Sequence, residues 1–290
     1  MINNALLVVN PVSGGIDKTA FIDVALQYAA RENLNLQLLT TSGSDDDILK
    51  IKTLFDQLSP QRVIVIGGDG TVKLVSEALD DKDVIIGLLP AGSANGLAAD
   101  LNLPLLPERC LEVAFGNNFI SIDKIAINDE ICLHLSDLGL NAELIKHYEE
   151  SAVHGKLGYI FQILNTLIDS DPPFVARITA NDKTIVCEAR MIVIANAKKY
   201  GTGVVINPNG LLNDGKFELV ILKNLDLIVF AKILTGNIPV NSEDVNIIST
   251  DMATIITDIP TCFQIDGEYC GFEKELDIKI LPHKIKIAVP

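Results

Sequence analysis

The chain has 290 residues, 48% hydrophobic and 21% charged, with a formal net charge of −15. That is enough apolar material for one or two packed domains and too much for a disordered chain. The acidic balance excludes nucleic-acid binding, which needs basic surface to displace phosphate counterions, and it removes a polybasic grip on anionic lipid headgroups.

Residues 5–9 read as a buried strand. The turn Asn10-Pro11-Val12-Ser13-Gly14-Gly15 follows, and then a helix with the apolar stripe Phe21, Val24, Ala25, Tyr28 and Ala29. Residues 34–39 give a second strand. Ser44 before Asp45, Asp46 and Asp47 marks a helix start, because carboxylates favour the positive end of a helix dipole. Ile48, Ile51, Leu54, Phe55 and Leu58 make the apolar face of that helix, so the acidic run is read as its N-terminus in preference to a metal site. Residues 63–66 run directly into Gly67-Gly68-Asp69-Gly70, and Thr71 opens a helix over 71–79. A strand over 84–88 leads into Leu89-Pro90-Ala91-Gly92-Ser93-Ala94-Asn95-Gly96. Repeated strand–helix units predict a doubly wound parallel sheet, and three small-residue turns at the carboxyl ends of its strands line one crevice. Glycine has no Cβ and tolerates positive φ, so such turns let backbone N–H groups approach phosphate closely. A nucleotide site is expected there, with the Asp69 carboxylate in reach of a phosphate-bound metal or an attacking hydroxyl.

Past Pro104 and Pro107 the pattern changes. Strands are predicted over 119–127, 131–136, 175–179, 184–188, 191–195, 217–221, 245–250, 253–257, 262–265 and 275–281, with turns at Asn128-Asp129 and Asn181-Asp182. Many short strands joined by tight turns point to a β-sandwich. One helix interrupts them, with Leu157, Ile160, Phe161, Leu164, Leu167 and Ile168 on one face, read as core packing before lipid contact. The expected division is an α/β nucleotide-binding domain over 1–120 and a β-sandwich domain over 121–290. The five cysteines are scattered without a CxxC pair, and the four histidines show no ligand spacing, which argues against a disulfide framework and a zinc site. No apolar run reaches the roughly 18 to 20 residues that span a bilayer. Met1-Ile2-Asn3-Asn4 lacks the basic start and the cleavage site of a signal peptide. A cytoplasmic protein is expected, and any contact with a membrane surface would depend on an apolar patch.

These loops, in this order, resemble the catalytic domain of the diacylglycerol kinase and sphingosine kinase superfamily, especially its small bacterial lipid kinases. Asn10 to Gly15 looks like the first nucleotide loop of that family, Gly67-Gly68-Asp69-Gly70-Thr71 like its signature loop, and residues 89–101 like its third. Asn213-Asp214-Gly215 resembles the turn that holds a structural magnesium, and Asp266-Gly267-Glu268 a late acidic motif of the active site. The resemblance implies an N-terminal α/β domain, and a C-terminal β-sandwich that completes the active site and a lipid cleft. It implies transfer of the γ-phosphate of ATP to a lipid hydroxyl at the inner membrane surface, with Mg²⁺; a homodimer is left open.

By the same resemblance, Asn10, Pro11, Ser13, Gly14, Gly67, Gly68, Gly70, Thr71, Gly92, Ser93 and Asn95 surround the nucleotide. Asp69, Asp266 and Glu268 are the catalytic carboxylates, with Glu268 preferred as base and Asp69 as organiser of metal and phosphate. Asp214 by its side chain, with Leu211 and Lys216 by their carbonyls, would hold Mg²⁺, a hard cation suited to oxygen donors. The chain departs from the family at three places: Leu74 stands where an acid is usual, Gly96 to Ala99 replaces Asp-Phe-Ala-Arg, and Asn141 stands where Asp is common. Two other readings stay open. NAD kinases and phosphofructokinases also use a Gly-Gly-Asp-Gly loop, and a catalytically silent lipid- or nucleotide-binding regulator would account for Leu74 and Ala99.

Overall fold

The computed structural model describes residues 2–44, 46–139, 142, 173–200, 204–224 and 242–290. They fall into two compact units, Met1–Ile122 with His283–Pro290, and Asp123–Pro282. The helix carrying Leu157 to Ile168, and Asn141, lie outside the described residues.

The first unit alternates strand and helix: β1 (Asn4–Val9), α1 (Thr19–Arg31), β2 (Asn35–Thr40), α2 (Asp46–Leu58), β3 (Arg62–Gly67), α3 (Asp69–Ala78), β4 (Ile85–Pro90), α4 (Gly96–Asp100) and α5 (Pro107–Ala114). The strands lie parallel in the order β2-β1-β3-β4. Leu7, Val9, Ile64, Ile66 and Leu89 pack against Ala25 of α1 and against Cys110, Leu111 and Ala114 of α5. Leu6, Val8, Val63 and Val65, one step out of phase, are buried as well, and α2 and α3 pack on β1 and β3. Strands covered on both faces are the reason β1 and β3 are unbroken apolar runs.

The acidic run does begin α2. Asp47, only 1% exposed, accepts the N–H groups of Ser42 and Gly43 at 2.8 Å each, the Ser42 hydroxyl at 2.9 Å and Lys50 Nζ at 3.2 Å.

The second unit is antiparallel. Its strands are β5 (Phe119–Ile127), β6 (Glu130–Cys132), β7 (Leu135–Gly139), β8 (Phe174–Ala180), β9 (Lys183–Ala189), β10 (Met191–Ala195), β11 (Phe217–Leu222), β12 (Val245–Thr250), β13 (Met252–Ile265) and β14 (Glu268–Ala288), of which the start of β5 and the end of β14 from His283 belong to the first unit. Side chains alternate along β10 and β11: Ile192, Ile194, Leu219 and Ile221 enter one core with Phe174, Ile178, Ile255 and Phe263. Met191, Val193, Val220 and Leu222 enter a second with Leu135, Ile206 and Val245. A sheet buried on both faces by alternate residues is the sandwich pattern. Asn181 and Asp182 (φ 50° and 58°) and Asp266 and Gly267 (φ 51° and 90°) form two-residue hairpin turns, the positive-φ pair that matches strand twist.

Three expectations change. The strand expected over 131–136 is two, β6 and β7, broken at residues 133 and 134. The strands expected over 253–257 and 262–265 are one bulged strand, β13, whose first half pairs with β8 and whose end pairs with β7. Residues His283–Pro290, placed in the sandwich by the sequence, belong to the first unit, where Lys286 and Ile287 pair in parallel with Ile85 and Ile86 of β4.

Candidate active site

The three loops of the first unit meet backbone to backbone. A Cβ on Gly14 would fall 2.7 Å from the carbonyl carbon of Gly92, one on Gly92 would fall 2.4 Å from Gly68 Cα, and one on Gly68 would fall 3.0 Å from Gly92 Cα. The sequence assigns these glycines to phosphate approach, whereas the structure uses them first to let the loops touch. Gly67 is required for a different reason: a Cβ there would lie 2.4 Å from the Thr71 hydroxyl. Gly15, at φ +62° with nothing within 4 Å of its missing Cβ, faces open space.

Asp69 is the tie between the second and third loops. It begins α3, yet its Oδ2 accepts the Gly96 N–H at 2.7 Å and its Oδ1 accepts the Leu97 N–H at 3.1 Å. Its carboxylate therefore caps α4 from another helix and satisfies two N–H groups that a helix start leaves open. Asn95, at φ +53°, is turned inward. Its Oδ1 accepts the Gly92 N–H at 2.8 Å and its Nδ2 donates to the Gly92 carbonyl at 2.9 Å, so its amide shapes the third loop. In the first loop Asn10 Oδ1 accepts the Val12 N–H at 3.1 Å, and Pro11 is exposed beside it.

What remains open to a ligand is narrower than the sequence list. The start of α3 has Gly68 at its cap and no side-chain cap hydrogen bond; the Thr71 N–H donates to the Gly68 carbonyl at 3.0 Å, which leaves the N–H groups of Asp69 and Gly70 and the positive end of the dipole for an anion. Gly70 and Ser93 are exposed, Ser13 is half-buried, and Thr71 Oγ1 is buried without a hydrogen-bond partner. An orphaned hydroxyl one residue past the exposed Gly70 is a fit for a phosphate or its metal.

Lys18 carries no sequence signal, yet it is 4% exposed and donates to the carbonyls of Ser13, of Ile16 at 2.8 Å and of Ala91 at 2.8 Å.

In the second unit, Asp266 is fully engaged. Its Oδ1 accepts the N–H groups of His134 at 2.8 Å and Leu135 at 3.2 Å, and its Oδ2 accepts that of Leu133 at 2.8 Å. It fixes the chain break between β6 and β7, and its carboxylate is tied to three backbone amides. Glu268, two residues on at the start of β14, is exposed. Asp123, fully buried, accepts the Gly215 N–H on Oδ2 at 2.8 Å and donates its own N–H to Leu212 O at 2.7 Å, so it positions the Asn213-Asp214-Gly215 turn. Asn196 donates from Nδ2 to Asp123 O and Leu133 O at 2.9 Å each. Neither residue was legible in the sequence.

For a metal, no cluster of three or more acidic, histidine or cysteine side chains exists among the described residues. Leu211, Asp214 and Lys216 are exposed, and Asp214 Oδ1 accepts the Lys216 N–H at 3.1 Å. One carboxylate and two carbonyls on an exposed turn fit a magnesium ion that keeps several of its waters, and do not make a closed cage.

A parallel α/β unit with three buttressed glycine loops at its strand ends, joined to an antiparallel β-sandwich, has the build of a kinase. Residues 4–127 match the diacylglycerol kinase catalytic domain, and residues 137–289 match the YegS C-terminal NAD kinase beta sandwich-like domain. The chain is 30% identical to "Probable lipid kinase YegS-like" of Yersinia pestis (strain Pestoides F), covering 80% of each chain. It is 27% identical to the protein of the same name from Serratia proteamaculans (strain 568), over 99% of this chain and 94% of that one. Its fold superposes on a diacylglycerol kinase from Bacillus anthracis str. Sterne with a TM-score of 0.76 at 18% identity, over 100% and 97% of the two chains. The chain belongs to the diacylglycerol kinase catalytic-domain family, and it is a phosphotransferase of the kinase type.

Proposed function

We propose that the protein is an ATP-dependent lipid kinase that transfers the γ-phosphate to the hydroxyl of diacylglycerol, a sphingoid base or a related lipid. The observation that carries this is the start of α3: an uncapped helix N-terminus, the exposed Gly70 and the orphaned Thr71 hydroxyl, held beside the third loop by Asp69. Phosphoryl transfer asks a protein for positioning and charge stabilisation more than covalent help. Here the backbone N–H groups opening α3 would receive phosphate oxygens, with Thr71, Ser13 and Ser93 supplying hydroxyls. Asp69, by bonding α4, holds the second and third loops in register and leaves little freedom for its own carboxylate to migrate. We assign the acceptor proton to Glu268, whose exposed carboxylate has none of the amide bonds that saturate Asp266. Asp214, with the carbonyls of Leu211 and Lys216, would hold Mg²⁺, which would supply a local positive charge that orders the turn.

The lipid acceptor is supported by the names of the relatives and by two adjacent leucines, Leu105 (96% exposed) and Leu106 (64%), which Pro104 and Pro107 flank. Among the described residues no helix is long and apolar enough to cross a membrane, so a lipid would be met at a surface. A soluble acceptor such as NAD is the second reading, favoured by the likeness of residues 137–289 to an NAD kinase sandwich. Labelled ATP offered to lipid vesicles and, in parallel, to NAD and sugar phosphates tests both. The lipid reading expects label only in the organic phase, lost in Glu268→Gln with ATP binding retained; label only in the aqueous products overturns it.

A further inference from the structure

The Lys18 ammonium has three N–H donors, and they meet three carbonyls, two on the first loop and one on the third. Ala91, its partner on the third loop, is 73 positions away in sequence. These bonds stitch the same two loops that touch at Gly14 and Gly92. All three partners are neutral, so the geometry is satisfied while the charge is not balanced within the cluster. Asp17 lies next in the chain, and its carboxylate is tied to the N–H and hydroxyl of Thr19 at 2.9 and 2.7 Å. The first loop brings no other titratable residue and the third brings none between Ala91 and Asn95, while the second loop, which touches Gly92, brings Asp69, and α1 brings Asp23, Tyr28 and Arg31. Burial pushes the Lys18 ammonium below the usual lysine value, and Asp17 offsets this only in part. A buried cation without a bonded anion is costly to a fold, and the expense is recovered if an anion arrives at the loops it joins.

We propose that Lys18 is the positioning residue of the nucleotide site, riveting the first loop to the third and keeping its charge for the polyphosphate of the bound nucleotide. This rests on the reading that these loops hold ATP. With all its N–H groups spent on carbonyls, Lys18 acts through its field and through loop placement and makes no direct bond to phosphate. Charge buried this way is screened less by salt than a surface lysine would be.

The test is equilibrium binding of ATP, inorganic tripolyphosphate and adenosine to the full chain and to Lys18→Met, which keeps an unbranched side chain one atom shorter and removes the charge. The expected result is a loss of roughly 10- to 100-fold for ATP and tripolyphosphate, the size of one poorly screened charge acting across several ångströms, with adenosine changed by less than about 2-fold. Equal loss for all three ligands would make Lys18 a structural brace alone, and unchanged ATP affinity would overturn the inference while leaving the kinase reading intact. Absence of ATP and tripolyphosphate binding in the folded unsubstituted protein would instead remove the kinase reading, and the inference with it. Should Lys18→Met fail to fold, the titration of Lys18 is followed by NMR of isotope-labelled lysine in the unsubstituted protein with and without ATP. An upward pKa shift on binding is expected, and no shift overturns the inference.

Discussion

At the scale of single residues, the glycines divide by what their missing Cβ would strike. Gly92→Ala would drive a methyl to 2.4 Å from Gly68 Cα, and neither loop can yield without moving backbone. We expect it to cost about 1–3 kcal/mol by overpacking and to abolish ATP binding. Gly15→Ala meets nothing. It should cost only the roughly 1–2 kcal/mol of a left-handed non-glycine residue and keep binding, and a thermal melt with a nucleotide titration separates the two. Asp69 ties the second loop to the third in the structure, and the proposed reading adds to this the organisation of metal and phosphate. Asp69→Asn retains one acceptor oxygen for two N–H groups, so α4 should lose about 1–2 kcal/mol of capping and turnover should fall to background. Near-native turnover would reject the assignment. The Asp69 motif was legible because the chemistry is local: a strand, a turn and a helix start in eight consecutive residues. Lys18 and Asp123 were not, because each is an ordinary polar residue until the fold brings carbonyls or amides from distant segments onto it.

At the scale of elements, local pattern again decides what could be foreseen. The buried runs of β1 and β3, the acidic start of α2 and the Asn181-Asp182 turn follow from adjacent residues, and the structure bears them out. The continuity of β13 through its bulge does not, since it is set by two different partners, β8 and β7. The same holds for the return of residues 286 and 287 to the edge of β4, a pairing about 200 positions apart that no local period encodes. Asp47 makes a pH prediction at this scale. Burial pushes its carboxyl up, but the bonds from Ser42, Gly43 and Lys50 outweigh burial and leave it below its ordinary value of 3.8. A lowered folded pKa stabilises fully above the unfolded value and is lost as pH falls through the folded one. Asp47→Asn should therefore cost about 1–3 kcal/mol at neutral pH and flatten the stability profile below roughly pH 4, read by urea melts across that range. In the second unit Asp266→Ala should lower stability by a similar 1–3 kcal/mol or so through three freed amides, whereas Glu268→Gln should leave the melt unchanged.

For the whole molecule, a net charge of −15 bears on how the proposed lipid substrate would be reached. It disfavours attraction to anionic headgroups, so under that reading surface contact would come from apolar insertion, for which Leu105 and Leu106 are an adjacent exposed pair among the described residues. Leu105→Asp with Leu106→Asp should reduce activity on vesicles several-fold, and should spare activity on a short-chain soluble acceptor; equal loss on both would assign the pair to folding. The family, the two units and the buttressed loops together make a kinase, and the central claim is that its acceptor is a lipid. The most direct measurement is transfer of radiolabel from γ-labelled ATP to an extracted lipid mixture supplemented with diacylglycerol and sphingoid bases, with and without Mg²⁺ and with Asp69→Asn in parallel. A labelled organic-phase product that needs Mg²⁺ and Asp69 is the predicted result. Label that appears only in water-soluble products, or lipid label that persists in Asp69→Asn, would contradict it.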